Sequence, residues 1–294
     1  MKSSSTPLWS KLSAICLLVL GVYACGVQPA PSPLLVMSFN IRYDNPDDAP
    51  NDWTHRKDSL AALIRTYSPD LLGTQEVLHQ QLTDLKERLP EYEAYGVGRL
   101  DGRQQGEYAA ILYRRDRFSV EDAGYFWLSD QPEVAGSMGW DAACERIATW
   151  LILQDEKTSR RIFLLNTHLD HVGGEARKRS AELIKSRLNR LAQGLPVIVM
   201  GDFNAAPTDP VYRMMTDETD PLSLRDTRLE VKQPEGEEGT FHNFARLVAS
   251  DRPRIDYILK NQYLETLHQE HIATDRGAVC LSDHHAVLAC LIYR

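Results

Sequence analysis

One pattern constrains this chain more than any other: a short apolar run that reads as a buried strand, then breaks off in a small cluster of Asn, Asp, Glu or His. Residues 197–200 are apolar and, but for Met200, β-branched; they lie between Pro196 and Gly201 and run straight into Asp202-Phe203-Asn204. Runs of this length bounded by Pro and Gly fit strands buried on both faces. The pattern recurs at Ser38-Phe39-Asn40, at Thr74-Gln75-Glu76 and from Asn166 through His168 to His171. It recurs again at Arg254-Ile255-Asp256-Tyr257 and at Ser282-Asp283-His284-His285. Side chains alternate along an extended segment, so Asp202 and Asn204 are expected on one face and Phe203 on the other. Layered α/β folds bind ligands at strand ends, which makes these clusters candidates to converge.

Helices lie between the strands. Leu60, Leu63, Ile64 and Tyr67 share one helical face and predict a helix over 54–67. Leu78, Leu82, Leu85 and Leu89 predict a second, stopped by Pro90; Ala181, Ile184, Leu188 and Leu191 predict a third over 173–191. Strands are expected at 34–40, 70–75, 92–97, 108–113, 118–127, 147–153, 161–167, 197–200, 255–259 and 286–292. Two sheets packed face to face with helices outside both satisfy that order. A buried Asp256 needs a partner, because an unpaired carboxylate in an apolar strand costs several kcal/mol or shifts its pKa. His284 is the natural candidate.

The first residues form a different region. Residues 1–11 carry Lys2 and Lys11 and no acid, and 12–24 are an apolar stretch too short to span a bilayer, which suits an export signal. The stretch ends Val22-Tyr23-Ala24-Cys25, similar to a bacterial lipobox in which Cys25 is lipidated. The expected organisation is therefore a lipoprotein signal peptide at 1–24, a lipid-anchored tether at 25–33 and one domain at 34–294. The protein is then exported and held at a bacterial membrane, periplasmic or on the cell surface. Loss of residues 1–24 takes the net charge from −8 to −10. So acidic a chain is poorly suited to hold a long polyanion by counterion release. Cys144, Cys280 and Cys290 remain; free thiols are the expectation and a Cys144–Cys280 bridge the alternative.

The segments SFN, QE, NTHLDH, GDFNA, RIDYI and SDHH, in that order, resemble the endonuclease/exonuclease/phosphatase superfamily. Within that span, GEY at 106–108, ERIATW at 145–150 and GTFHNF at 239–244 look like a bacterial branch often found in secreted or lipoprotein form. The resemblance implies an α/β, four-layer α/β/β/α sandwich of two mixed sheets, and hydrolysis of a phosphoric ester by in-line attack of water. It implies Mg²⁺ or Mn²⁺, hard ions suited to oxygen donors. Asn40 and Glu76 match the primary metal ligands and Asp283 a further metal-side carboxylate. Asp202 matches the residue that orients or deprotonates the attacking water, Asn204 the amide that donates to phosphoryl oxygens. His284 matches a phosphate-contacting imidazole oriented by Asp256, and His168 a second imidazole at the phosphate or leaving oxygen, both helping to offset developing charge.

Other residues carry two readings each. Asp170 and His171 either support the metal and pocket floor or are structural. Arg42 either binds a phosphate oxygen or forms a surface ion pair. Glu107, Tyr108 and Arg146 are candidates for substrate contact, and Trp53, Trp127 and Trp140 for the mouth of the pocket. Charge and export favour a small phosphorylated molecule or glycan phosphate as substrate. A secreted nuclease is less favoured, and a sphingomyelinase-like lipid phosphodiesterase less again. A catalytically inert binding module fits poorly, because every core polar position holds a competent residue. Nothing suggests assembly, so a monomer is expected.

Overall fold

The computed structural model describes residues 32–294; the expected signal peptide, Cys25 and most of the tether lie outside them. The first strand, β1 (Leu34–Asn40), leads to α1 (Trp53–Tyr67), β2 (Leu71–Val77), α2 (His79–Arg88), β3 (Tyr92–Tyr95) and β4 (Tyr108–Arg114). Then follow β5 (Phe118–Trp127), β6 (Ile147–Asp155), β7 (Arg160–His168), α3 (Gly174–Leu191) and β8 (Val197–Asp202). The chain closes with α4 (Pro210–Met215), β9 (Arg225–Asp226), α5 (Thr227–Glu230), β10 (Asp256–Lys260), β11 (Leu264–Ile272) and β12 (Ala286–Tyr293). One sheet has the order β11-β12-β1-β2-β4-β3, the other β5-β6-β7-β8-β10-β9. Both are mixed: β1–β2 and β7–β8 run parallel, their other neighbours antiparallel.

Strand alternation sorts the core into layers. Leu34, Val36, Leu71, Ile111, Leu164, Ile198, Met200 and Ile258 meet between the sheets. Their neighbours point outward: Met37, Phe39 and Leu72 pack on Leu60, Ile64, Leu82 and Leu85 of α1 and α2. On the far side Phe163, Leu165, Val197 and Val199 pack on Ile184 and Leu188 of α3 and on Tyr212 of α4. The result is the expected four-layer α/β/β/α sandwich.

The period of two also decides where the polar clusters go. Continuing the inward-facing positions of β1, β7, β8 and β10 to the strand ends gives Asn40, His168, Asp202 and Asp256. These residues therefore occupy the polar end of the layer between the sheets. Just beneath them Gln75 Nε2 donates to Asn166 Oδ1 at 2.7 Å, and Asn166 Nδ2 donates to the carbonyls of Thr74 and Ala110, both at 2.9 Å. This buried bridge ties the two sheets together under the site. Gly201 permits the close approach of β8 to β7: its φ is +146°, and a Cβ there would lie 1.9 Å from the Thr167 carbonyl oxygen.

Candidate active site

The register of β8 against β10 sets Asp202 opposite Asp256, so two buried carboxylates face each other across one antiparallel pair. His284 lies between them, with Nδ1 2.9 Å from Asp256 Oδ2 and Nε2 3.8 Å from Asp202 Oδ2. Burial works against a charged His284, but Asp256 first, then Asp202 and Asp283, outweigh it and hold the imidazolium well above its ordinary range. Phe241 leans on this ring with centroids 5.0 Å apart. Asp202 moves the other way: burial and the Asp256 charge push its carboxyl up to about 7, against the pull of His284 and the Asn204 and Asn40 donors.

Glu76 reaches the cluster through a distortion. It has φ +60°, and the β2–β4 register shifts between Thr74 and Val77. A bulge re-aims a side chain in this way. Asn40 Nδ2 then lies 3.0 Å from Glu76 Oε1, 3.0 Å from Asp202 Oδ2 and 3.5 Å from His284 Nε2. One carboxamide thus gathers the three residues expected to do the chemistry. Its Oδ1 accepts from the Arg42 amide at 3.0 Å. Asn40 therefore turns its NH₂ rather than its oxygen towards the acids, and the oxygens free for a cation belong to the carboxylates. Burial disfavours ionised Glu76, yet His284, Asn40, Arg42 and the Tyr43 amide together lower its pKa. Asp283 is raised by burial and by Glu76. Four acids, the buried Asp202, Asp256 and Asp283 and the half-buried Glu76, face only His284, Arg42 and the more remote Arg56 as positive charge among the described residues. That deficit and the hard oxygen donors fit a divalent cation.

The strand does not carry Asn204, contrary to the alternation expected for 202–204. β8 ends at Asp202, and Asn204 turns into the left-handed region at φ +46° with its amide donating to Asp202 Oδ1 at 2.9 Å. A short polar side chain tolerates that conformation and stabilises the turn. Phe203 does point to the outer core as expected. Asn204 Nδ2 is shared between His168 Nε2 and the Leu169 carbonyl, each at 3.0 Å. Asn204 thus positions His168 and has no idle donor. His168 is held well below its ordinary pKa by burial and then by Arg146 and Arg99. The expectation of two imidazoles sharing charge is corrected accordingly: His284 is the cation and His168 is neutral.

Among the second group of candidates, the structure divides the roles. Asp170 Oδ1 accepts from Val172 at 2.9 Å and Gly173 at 2.6 Å, and Oδ2 from Ala143 at 3.1 Å, which lowers its pKa to about 2 against the burial penalty. It is a brace for the loops before α3. His171, Arg42, Glu107 and Arg146 line the cavity. Arg42 pairs with Asp48 at 2.8 Å while lying 3.8 Å from Glu76 and 3.9 Å from Asp283. Tyr108 does not face the cavity; its hydroxyl donates to the Arg103 carbonyl at 2.8 Å and supports the loop beside it. The tryptophans are absent from the cavity wall as well. Trp53 donates to Asp84 across α1 and α2, Trp127 donates to the Arg99 carbonyl, and Trp140 lies exposed. Cys144, Cys280 and Cys290 are free thiols, so no Cys144–Cys280 bridge forms.

Several lining residues escaped the sequence reading: Tyr43, Arg99, Phe241, Phe244 and Arg246. For two of them, Phe241 and Phe244, the GTFHNF segment was the available signal. Arg56 had no signal at all. It is buried in α1, where its guanidinium donates to the carbonyls of Ile41, Arg42, Tyr43, Asn51 and Leu281, pinning both loops beside the acids.

The cavity measures about 610 Å³ and has Asp202, His168 and His284 in its wall. A profile of the Endonuclease/Exonuclease/phosphatase family matches residues 37–284, nearly the whole described chain. The chain belongs to the endonuclease/exonuclease/phosphatase family. Members of this family are divalent-metal-dependent phosphoric ester hydrolases, and Asp202, Asp256 and His284 lie close enough together here to hold an ion; with His284 protonated and paired to Asp256, the oxygens left for a cation are those of Glu76, Asp202 and Asp283. A family structure from Bacteroides vulgatus is 40% identical, covers 90% of this chain and 100% of its own, and superposes with a TM-score of 0.86. A mannosyl-6-phosphatase from Bacteroides thetaiotaomicron is 34% identical, covers 88% and 100%, and has a TM-score of 0.82. These neighbours bear out the bacterial branch. The zebrafish "Protein angel homolog 2" is 26% identical over 236 residues, 71% of this chain and 39% of that protein. The chain spans about half the length of the curated relatives it matches.

Proposed function

We propose that this protein hydrolyses a phosphate ester of a small, saccharide-linked substrate with the help of Mg²⁺ or Mn²⁺. The observation that carries the reading is the cavity: about 610 Å³, with the catalytic acids and imidazoles in its wall beside Phe241, Phe244 and Tyr43. That volume is typical of small-molecule sites, which run to roughly 300–1,000 Å³. Aromatic faces beside polar groups suit a sugar ring. The similarity to the Bacteroides mannosyl-6-phosphatase supports the same class of substrate.

Glu76 and Asp283 would hold the cation, with Asn40 fixing Glu76 against Asp202. The ion would act as a Lewis acid on the phosphoryl oxygens. Asp202, poised near neutrality, takes the proton from the attacking water at Oδ2. The His284 imidazolium, held by Asp256, offsets negative charge on the equatorial oxygens. Neutral His168, its Nε2 fixed by the Asn204 carboxamide, lines the cavity beside them and shapes that flank of the site.

Purified protein should hydrolyse mannose 6-phosphate and p-nitrophenyl phosphate with Mg²⁺ or Mn²⁺, and lose at least about 10²-fold in rate under chelation. Cleavage of plasmid or RNA in preference to these esters would replace this reading with a nuclease. Export and anchoring through a lipidated Cys25 belong to the same proposal, supported by the basic-then-apolar order of residues 1–25. Cys25→Ser should shift the protein from the membrane fraction to the soluble one; retention in the membrane would overturn that anchor.

A further inference from the structure

Arg146 lies at the head of β6 and is 5% exposed, yet much of its guanidinium is unused. Nη2 sits 3.0 Å from His171 Nδ1. Nε lies 3.5 Å from Asp170 Oδ2 without forming a hydrogen bond, since Asp170 spends its oxygens on three backbone amides. Nη1 has no partner among the described residues. Burying a guanidinium with idle donors is costly, and the cost is recovered when an anion fills them. Arg99 stands with it in the cavity wall. Its Nη2 holds Glu107 at 2.8 Å, and its Nε is likewise buried and unpartnered.

We infer that Arg146, seconded by Arg99, is the subsite that takes an unesterified oxygen of a terminal phosphate, and so makes the site select monoesters over diesters. This rests on the phosphoester reading above and assigns its specificity. A monoester brings three non-bridging oxygens and up to two charges; a diester brings two oxygens and one charge. Both arginines line the main cavity together with His168, and the same three side chains border a small void beside it, which puts the guanidiniums on the flank a phosphoryl group at His168 would face. A fork of fixed N–H donors matches phosphate oxygens in pairs. An alkyl group on that third oxygen would leave the buried donors empty and remove the second charge.

The test compares kcat/KM for p-nitrophenyl phosphate and bis-p-nitrophenyl phosphate in wild type, Arg146→Gln and Arg99→Gln. It is paired with calorimetric binding of inorganic phosphate under chelation, where nothing turns over. Arg146→Gln should lower the monoester-to-diester ratio at least about 30-fold and weaken phosphate at least about tenfold, as expected for a charged hydrogen bond. Arg99→Gln should lower the same ratio about fivefold, and it carries the test should Arg146→Gln not fold. Equal losses on both esters, or phosphate affinity unchanged in both variants, would overturn the inference. A wild type that hydrolyses neither ester sinks the broader reading instead, and phosphate binding then still decides the role of the arginines.

Discussion

Asp202→Asn is expected to lower kcat by about 10²–10⁴-fold, the range of a lost general base, while leaving the protein at least as stable as wild type at pH 8. Asp202 is fully buried, faces Asp256 across the β8–β10 pair, and has its carboxyl pushed up to about 7 by burial first and Asp256 second. A carboxyl whose folded pKa lies above its unfolded value opposes folding when ionised. That opposition is absent below the unfolded value near 4, grows as pH rises, and is complete above about 7. The stability of Asp202→Asn relative to wild type should therefore improve from pH 4 to pH 8, measured by urea denaturation under chelation. Asparagine keeps one oxygen for the donors now provided by Asn40 and the Asn204 amide, which limits the gain. A variant retaining more than about a tenth of wild-type kcat would remove Asp202 from the reaction. One that loses stability steadily as pH rises would contradict the repulsion with Asp256.

His284→Ala should be damaging in both respects. Asp256 Oδ2 is held by His284 at 2.9 Å, and Asp256 Oδ1 has no partner among the described residues. Removing the imidazolium leaves Asp256 and Asp202 buried, opposed and uncompensated. Breaking a buried pair from one side costs about 3–5 kcal/mol, and losing one electrostatic donor at the phosphoryl group costs about 10²–10³-fold in kcat. The double variant His284→Ala/Asp256→Ala should regain much of the stability and none of the rate, because the stranded charge is gone. Denaturation curves of the two variants decide this: a single variant as stable as wild type, or a double variant no better than the single, would mean the pair is not what keeps Asp256 tolerable.

Most of the fold was legible because its signals are local. Phe118–Trp127 was bounded to the residue, α1 and α3 fell within one residue of their expected starts, and α2 ends before Pro90 as expected. Leu264–Ile272 was missed, and its composition explains why. The strand buries Thr266, Gln269 and His271 beside Leu264 and carries a bulge between Thr266 and His268, so no apolar alternation survives in the sequence. Pro210–Met215 is too short to show a helical period, although Asp209 caps it in the ordinary way.

The candidate site divides along a similar line. Asn40, His168, Asp202 and Asp256 could be read from sequence because a strand ending in polar residues must present them at its end, and the period of two fixes the face. Geometry settled what the spacing of residues could not. Asn40 meets Asp202 across 162 positions and His284 across 244. The low pKa of His168 and the unused donors of Arg146 depend on neighbours from other strands and loops, and Arg56 draws the Leu281 carbonyl from 225 positions away. Residue type and periodicity determine which groups reach the end of the inter-sheet layer. Their charge states and free valences are set by burial and by neighbours brought from elsewhere in the chain, and those exist only once both sheets have closed.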